Sequence, residues 1–339
     1  MSQFKINSIT DKSGTSGPVI AGVSTNNSTG CMIIPAGPTE HRGGRGRGVI
    51  GGGLTIPAST QINTLNLITI ATTGDATDFG DLSYGNAYRG GLASSTRGVF
   101  ANSSGDLTYD YVTISSQGGA NDFGEATSNE MGGATFNSST RGFRVGGSSG
   151  GVHTTLVMAF TIASTGSFFD FGEQIGAYNY LNGASSPTRG IMFGGTTPSA
   201  PIKTIQSIEM ASQGNTTKFG ELITARKYTD TTSNTIRALA AGGEGPSASL
   251  NSIEFITIAT EGNATDFGDI NAVSSVGKNG SVSSATRGIF AGFYPASGGG
   301  QRMDFVTIAT EGNASDFGDL TTVAYYTGGC SDSNGGLGE

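Results

Sequence analysis

One pattern recurs six times along this chain. It combines an arginine-led run such as Arg287-Gly288-Ile289-Phe290-Ala291-Gly292, a β-branched run such as Ile256-Thr257-Ile258-Ala259-Thr260-Glu261-Gly262, and the turn Asp266-Phe267-Gly268-Asp269. The aligned arginines are Arg47, Arg97, Arg141, Arg189, Arg237 and Arg287, at spacings of 50, 44, 48, 48 and 50. The aligned phenylalanines are Phe79, Phe123, Phe171, Phe219, Phe267 and Phe317, at spacings of 44, 48, 48, 48 and 50. Two independent markers therefore define the same six units. A period of this length signals a repeat architecture, in which each unit buries its apolar face only by stacking on its neighbours.

Each unit reads as four short strands. The first follows the acidic turn and often ends in a Gly and Ser run, as in Gly183-Ala184-Ser185-Ser186. The second is the arginine run. The third is expected over Ile68–Thr72, Val112–Ser116, Phe160–Ser164, Ile208–Ser212, Ile256–Thr260 and Val306–Thr310, where β-branched residues alternate with period two. The fourth starts at the Phe-Gly turn. From the first residue of each third strand to its phenylalanine is always 11 positions, so one hairpin geometry is expected there. Gly74, Gly118, Gly166, Gly214, Gly262 and Gly312 are expected to supply its unusual backbone angles. Variation in period falls in the second-to-third-strand connection and around the first strand.

Six units of four antiparallel strands, with no helical period, predict an all-β, six-bladed propeller of four-stranded blades over residues 43–339. After Phe317 the chain continues through Ala324 to Ser331, which matches a first strand, and Gly335 stands where an arginine strand would begin. The first blade is thus expected to be closed by both termini, its innermost strand coming from the C-terminus, which removes the open edges of the ring.

Residues 1–42 stand outside the repeat. Phe4–Ile9, Pro18–Val23 and Cys31–Pro35 have strand-like character, with Ser24–Gly30 separating the last two. This arm has too little apolar surface to fold alone. It is expected to dock on its own ring, on a sister subunit of a homo-oligomer, or on another protein. The formal net charge of −8 disfavours nucleic-acid wrapping. The local run His41-Arg42-Gly43-Gly44-Arg45-Gly46-Arg47-Gly48 is read as an arm whose arginines pair within the fold rather than as an RNA-binding segment. Cys31 and Cys330 have no metal-ligand spacing; unpaired buried thiols are expected in preference to a disulfide between the ends. No secretory signal and no membrane-length apolar run is apparent, so membrane insertion is not expected.

The repeated charges invite a catalytic reading. Each unit has its arginine and an acid after the Phe-Gly: Asp81, Glu125, Glu173, Glu221, Asp269 and Asp319. Five also have an Asp before the phenylalanine, the fourth unit having Lys218. A carboxylate pair for glycoside cleavage would have to share one site, whereas these recur once per blade. They are expected to be architecture: turn hydrogen bonds from Asp, and pairing of Arg with an acid between blades. His41 and His153 are lone histidines, with His153 read as exposed. No phosphate loop is present. No catalytic residue, metal site or cofactor is expected.

In this layout the chain resembles the kelch family. Gly51-Gly52, Gly146-Gly147, Gly194-Gly195 and Gly242-Gly243 match the doublet closing a kelch second strand. Leu222-Ile223-Thr224-Ala225-Arg226 matches the approach to the next blade. Phe stands where kelch repeats have Trp, and Asn102-Ser103 and Gly292-Phe293 break the doublet. The TRGIFAGG and TIATTGNATDFGDL variants, together with the segment from Gly17-Pro18 to Gly37-Pro38-Thr39-Glu40, are similar to kelch-type virion proteins of tailed phages, notably phages of marine cyanobacteria. That resemblance implies a non-enzymatic virion component, a tail, fibre or surface protein. Its arm would anchor on other virion proteins and its ring would attach to a host-surface glycan or protein. A capsid or neck decoration protein is the first alternative; a carbohydrate-active enzyme and a cellular scaffold rank lower. Loops on a rigid ring are the natural recognition surface, and Tyr109, Tyr111, Glu244 and Tyr294 are the candidate contact residues.

Overall fold

The computed structural model describes residues 24–26, 31–33, 46–87, 90–101, 107–128, 131–274, 280–294 and 300–337. It divides into two units, Met1–Gly44 and Arg45–Glu339. In the first, Ser24–Asn26 pairs antiparallel with Cys31–Ile33. Part of the expected separator, Ser24–Asn26, is therefore itself a strand. Phe4–Ile9 and Pro18–Val23 lie outside the described residues, as do His41, Arg42 and Arg45.

The second unit is a six-bladed β-propeller. Blade 1 consists, from the axis outward, of Gly328–Ser331, Arg47–Gly51, Thr64–Thr69 and Thr77–Asp81. Blade 2 is Gly90–Ala93, Arg97–Ala101, Thr108–Thr113 and Asn121–Glu125. Blade 3 is Ala134–Asn137, Arg141–Val145, Leu156–Thr161 and Phe169–Glu173. Blade 4 is Asn182–Ser185, Arg189–Phe193, Thr204–Glu209 and Thr217–Glu221. Blade 5 is Asp230–Ser233, Arg237–Ala241, Leu250–Thr257 and Thr265–Ser274, and blade 6 is Val282–Ser283, Arg287–Ala291, Arg302–Thr307 and Ser315–Asp319. Blade 1 joins the two ends of the ring: Gly328–Ser331 pairs with Gly48–Gly51.

The third strands begin earlier than their sequence suggests. The second half of each expected run is the turn, with Thr72 N–H donating to Thr69 C=O at 3.1 Å. The apolar residues that made these turns look like strands, such as Ile70, Ile114 and Ile258, are buried because the turn tucks against a neighbouring blade.

Alternating side chains of each second strand face opposite neighbours, so the apolar core is split into six clusters, one per blade interface. Val49 packs toward blade 2 while Ile50 packs toward blade 6. The repeated phenylalanines each fill one interface and are no more than 4% exposed. Such a ring has no single centre, and its stability is a sum of interface terms.

Candidate functional site

Each repeated arginine reaches into the following blade. Arg47 Nη1 donates to the carbonyls of Ile114 and Ser115 at 3.1 and 2.8 Å, Arg97 to Ile162 and Ala163, and Arg141 to Met210 and Ala211. Arg189 continues to Ile258, Arg237 to Ile308 and Ala309, and Arg287 closes the ring on Ile70. The expected Arg–acid pairing between blades is thereby corrected. The main partners are backbone carbonyls left unpaired where the third strand ends in its turn. Among the described residues only Arg237–Glu311, at 3.7 Å, pairs such an arginine with an acid of the next blade; Arg189–Glu209 lies within one blade.

The acidic turns serve the same frame. Asp78, Asp122 and Asp170 accept the N–H of Gly80, Gly124 and Gly172. The third-to-fourth hairpin of each blade bonds the preceding blade: Gly118 N–H donates to Phe79 C=O at 2.8 Å, and the same bond recurs from Gly74 to Phe317. This docking explains the invariant 11-residue spacing. It also requires close approach, since a Cβ on Gly80 would lie 2.4 Å from the Gly118 carbonyl oxygen. Unusual backbone angles occur at Gly74, Gly118, Gly166 and Gly312, but not at Gly214 or Gly262.

A second repeated device escaped the sequence reading. Asn66, Asp110, Gln206, Glu254 and Asp304 occupy one position in the third strand, are almost fully buried, and accept a backbone N–H from the preceding blade's exit: Thr321, Ser83, Ile175, Ile223 and Asn271, respectively. Together with Met158 they repeat at the phenylalanine spacings, which is the signal that could have revealed them. Glu254 also takes the buried Arg226, which in addition donates to Gly242 C=O and Ser252 C=O at 3.0 Å. Burial lowers the Arg226 pKa, and the Glu254 carboxylate offsets part of that. The arginine that supported the kelch resemblance is thus a buried strut.

The four candidate contact residues separate. Tyr109 is a correction: it is 1% exposed and packs edge-on against Phe160 and Phe168, because its side of the strand faces the interface with blade 3. Tyr111 is half-buried, with the Arg97 guanidinium 4.3 Å over its ring. Glu244 and Tyr294 fall in one neighbourhood. Glu244 exchanges backbone bonds with Lys227 and lies 3.4 Å from its Nζ. Tyr294 is 43% exposed and stacks edge-on against Tyr325 at 4.9 Å.

Between them runs a row of tyrosines. Tyr180 and Tyr228 have ring centroids 4.3 Å apart, Tyr228 and Tyr326 5.9 Å, and Tyr326 and Tyr325 4.8 Å. Tyr180, Tyr228 and Tyr326 each stand two residues before an innermost strand and have left-handed backbone, with φ of 53°, 57° and 57°. The local cause is visible. The residue before each of them (Asn179, Lys227, Tyr325) is bridged to a second-to-third-strand loop at Thr196, Glu244 and Leu54. The chain must then turn sharply into the axial strand. Blade 3 makes the same turn with Gly132, where a Cβ would meet Asn179 Oδ1 at 2.1 Å and the Tyr180 ring at 2.8 Å.

Below the tyrosines the innermost strands enclose an axial cavity of about 50 Å³, lined by Asn182, Thr231, Ser233, Ser283 and Asn334 among others. Hydroxyls stitch its wall: Ser185 Oγ donates to Asn137 C=O, Ser233 Oγ to Ser185 C=O and Ser331 Oγ to Ser283 C=O. The opposite end of the cavity is met by the turn Gly335–Leu337, with Asn334 Nδ2 donating to Asn137 Oδ1 at 3.1 Å. The chain thus crosses the axis where another arginine strand would have begun.

His153, expected exposed, is half-buried in a short hairpin between Ser148–Ser149 and Val152–His153. Cys330 is a free, buried thiol. Among the described residues no group of His, Cys, Asp and Glu is arranged to hold a metal ion, and no helix is long and apolar enough to cross a membrane. No family model matches the chain, and no curated protein matches it.

Proposed function

We propose that this chain is a non-enzymatic structural component of a tailed-phage particle. In this reading it is a tail, fibre or surface protein whose propeller attaches to a host-surface glycan or to another protein, while residues 1–42 anchor it to other virion proteins. The observation that carries the attachment reading is the segregation of the ring. The six repeated Arg and Phe side chains are committed to inter-blade bonds and packing, and Asp78, Asp122 and Asp170 to their own turns, while the uneven loops converge on the tyrosine row. A frame fixed by repeated bonds lets loops vary without unfolding it. The phage assignment is supported by the resemblance of the repeats alone.

Two measurements test it. Immunogold electron microscopy with antibodies to the ring should label assembled particles, and purified protein should bind host cells without releasing sugar from their surface polysaccharide. Labelling confined to the host cytoplasm would remove the virion assignment; sustained polysaccharide turnover would remove the non-enzymatic one.

A further inference from the structure

We infer that the tyrosine row at the loop-bearing mouth of the axial channel is a binding site for a neutral, hydroxyl-rich glycan; this rests on the attachment reading above and names its ligand and its place. Tyr180, Tyr228 and Tyr326 hold left-handed backbone that a non-glycine residue adopts only at an energetic penalty, whereas blade 3 makes the same turn with Gly132. Three bulky aromatics kept at positions that glycine would fit with less strain point to a use for the rings. They are half-buried rather than sealed, and the row continues to the exposed Tyr294.

The chemistry selects a sugar. An aromatic face carries negative quadrupole density that attracts the polarised C–H face of a pyranose, and the phenolic hydroxyls add hydrogen-bonding tips. On the channel wall nearby, Asn182 and Thr231 are buried and already bonded to the Thr229 and Gly183 backbone, so the phenolic tips are the directional groups that fix a polyol's orientation. Charge argues against an acidic sugar. Lys227 stands beside the row, with its Nζ 5.2 Å from the Tyr228 ring, but it is already paired with Glu244, and the chain as a whole carries a net charge of −8.

The test uses the full chain on an array of immobilised neutral, sialylated and sulfated oligosaccharides, followed by titration of the best hit through intrinsic tyrosine emission, which no Trp obscures. Tyr228→Gly and Tyr326→Gly should keep cooperative melting and weaken binding at least tenfold; Tyr294→Ala, at an exposed ring, should weaken it severalfold without touching the fold. Neutral hits lost in these variants are the expected result. Hits indifferent to all three variants would overturn the site, and hits confined to acidic glycans would overturn the ligand class. An empty array from a protein that still binds host cells, or that captures a protease-sensitive receptor, would overturn the glycan inference while leaving attachment standing.

Discussion

Asp332 accepts the backbone N–H of Arg47 through Oδ1 at 2.9 Å across 285 positions of chain, and its own N–H returns to the Arg47 carbonyl at 3.2 Å. The same two bonds close the first hairpin of every other blade, made there by Ser94, Ser138, Ser186, Asn234 and Ser284 with the arginine three residues on. Blade 1 therefore contains a hairpin without a covalent turn, and Asp332 performs the capping that elsewhere falls to a turn residue. Asp332→Ala should cost about 1.5–3 kcal/mol, the range for a hydrogen bond to a charged group. Deleting residues 328–339 should do far more, because it bares the edge of Arg47–Gly51. Denaturant melts and size-exclusion chromatography check both. A truncated protein that remains monomeric and melts like the parent would show that the closure carries no stability.

The carbonyl clamp makes a graded prediction. Arg189 donates to Ile258 C=O at 3.0 Å across the blade 4–5 interface and also pairs with Glu209, half-exposed. Arg189→Ala should lower stability by about 1–2 kcal/mol, since a partly solvated bond is replaced by water and some packing is lost. Binding by the residual folded fraction should be unchanged. Arg189→Lys should recover little, because a point charge with a differently placed donor set does not reproduce the guanidinium fork. Equal melting of all three proteins would sink the assignment of these arginines to the frame.

The buried strut separates a charge from its partner. Arg226 and Glu254 are essentially inaccessible, and Glu254 additionally accepts the N–H groups of Ile223 and Thr224 at 2.7 and 3.2 Å. Arg226→Met should cost about 3–5 kcal/mol, because it strands a carboxylate in the interface. Adding Glu254→Gln, which keeps an acceptor for those N–H groups, should recover at least half of the loss. A double-mutant cycle by urea unfolding reads the coupling directly, and strict additivity of the two changes would contradict the pairing.

In the blade 2–3 interface Met158 occupies the acceptor's position, and its thioether takes the Thr127 hydroxyl, at 3.4 Å, in place of a backbone N–H. Beside it lies Arg144, 2% exposed, whose Nε, Nη1 and Nη2 find no hydrogen-bond partner among the described residues. At the corresponding position the other blades carry Ile50, Phe100, Met192, Ala240 and Phe290. Arg144→Met should therefore stabilise the ring, by about 1–3 kcal/mol, since it removes a buried charge that has no hydrogen-bond partner among the described residues and keeps the volume. A lower midpoint in thermal or urea melts would mean that the guanidinium has a partner worth more than its burial.

How legible the fold was follows from what repeats. The arginine and phenylalanine positions show their period in one-letter code, so blade number, strand count and the shared first blade follow from counting alone. Strand ends were harder. Ile70 and Ile258 look like strand residues because they are buried, yet their burial comes from a turn packed on another blade, which local alternation does not reveal. The clamp at Asn66, Asp110, Gln206, Glu254 and Asp304 was hidden because its chemistry is constant while its residue type varies. Tyr180, Tyr228 and Tyr326 were missed for a different reason: their rings meet only once the ring closes, and their common feature is a backbone angle. Tyr109 misled because a tyrosine near a loop in sequence sat on the inward side of its strand.

Cys330 ties stability to alkaline pH. Its thiol is fully buried beside Cα of Gly98 and is pushed well above the usual thiol range, first by burial and then by the negative charge of Asp332. The folded state thus holds this proton where the unfolded chain, with a thiol pKa of about 8.5, releases it. The sign follows from linkage. The contribution is fully present below about pH 8.5 and shrinks above it, by up to about 1.4 kcal/mol per pH unit, as the unfolded state alone ionises. Cys330→Ala removes this term and leaves a constant packing loss, while every other titrating group is shared by the two proteins. The difference in unfolding free energy between parent and variant should stay flat from pH 6 to 8 and narrow steadily from pH 9 to 10.5. Urea melts at half-unit steps measure it, and a gap that stays constant over the whole range would show that the thiol ionises as readily in the ring as in the unfolded chain.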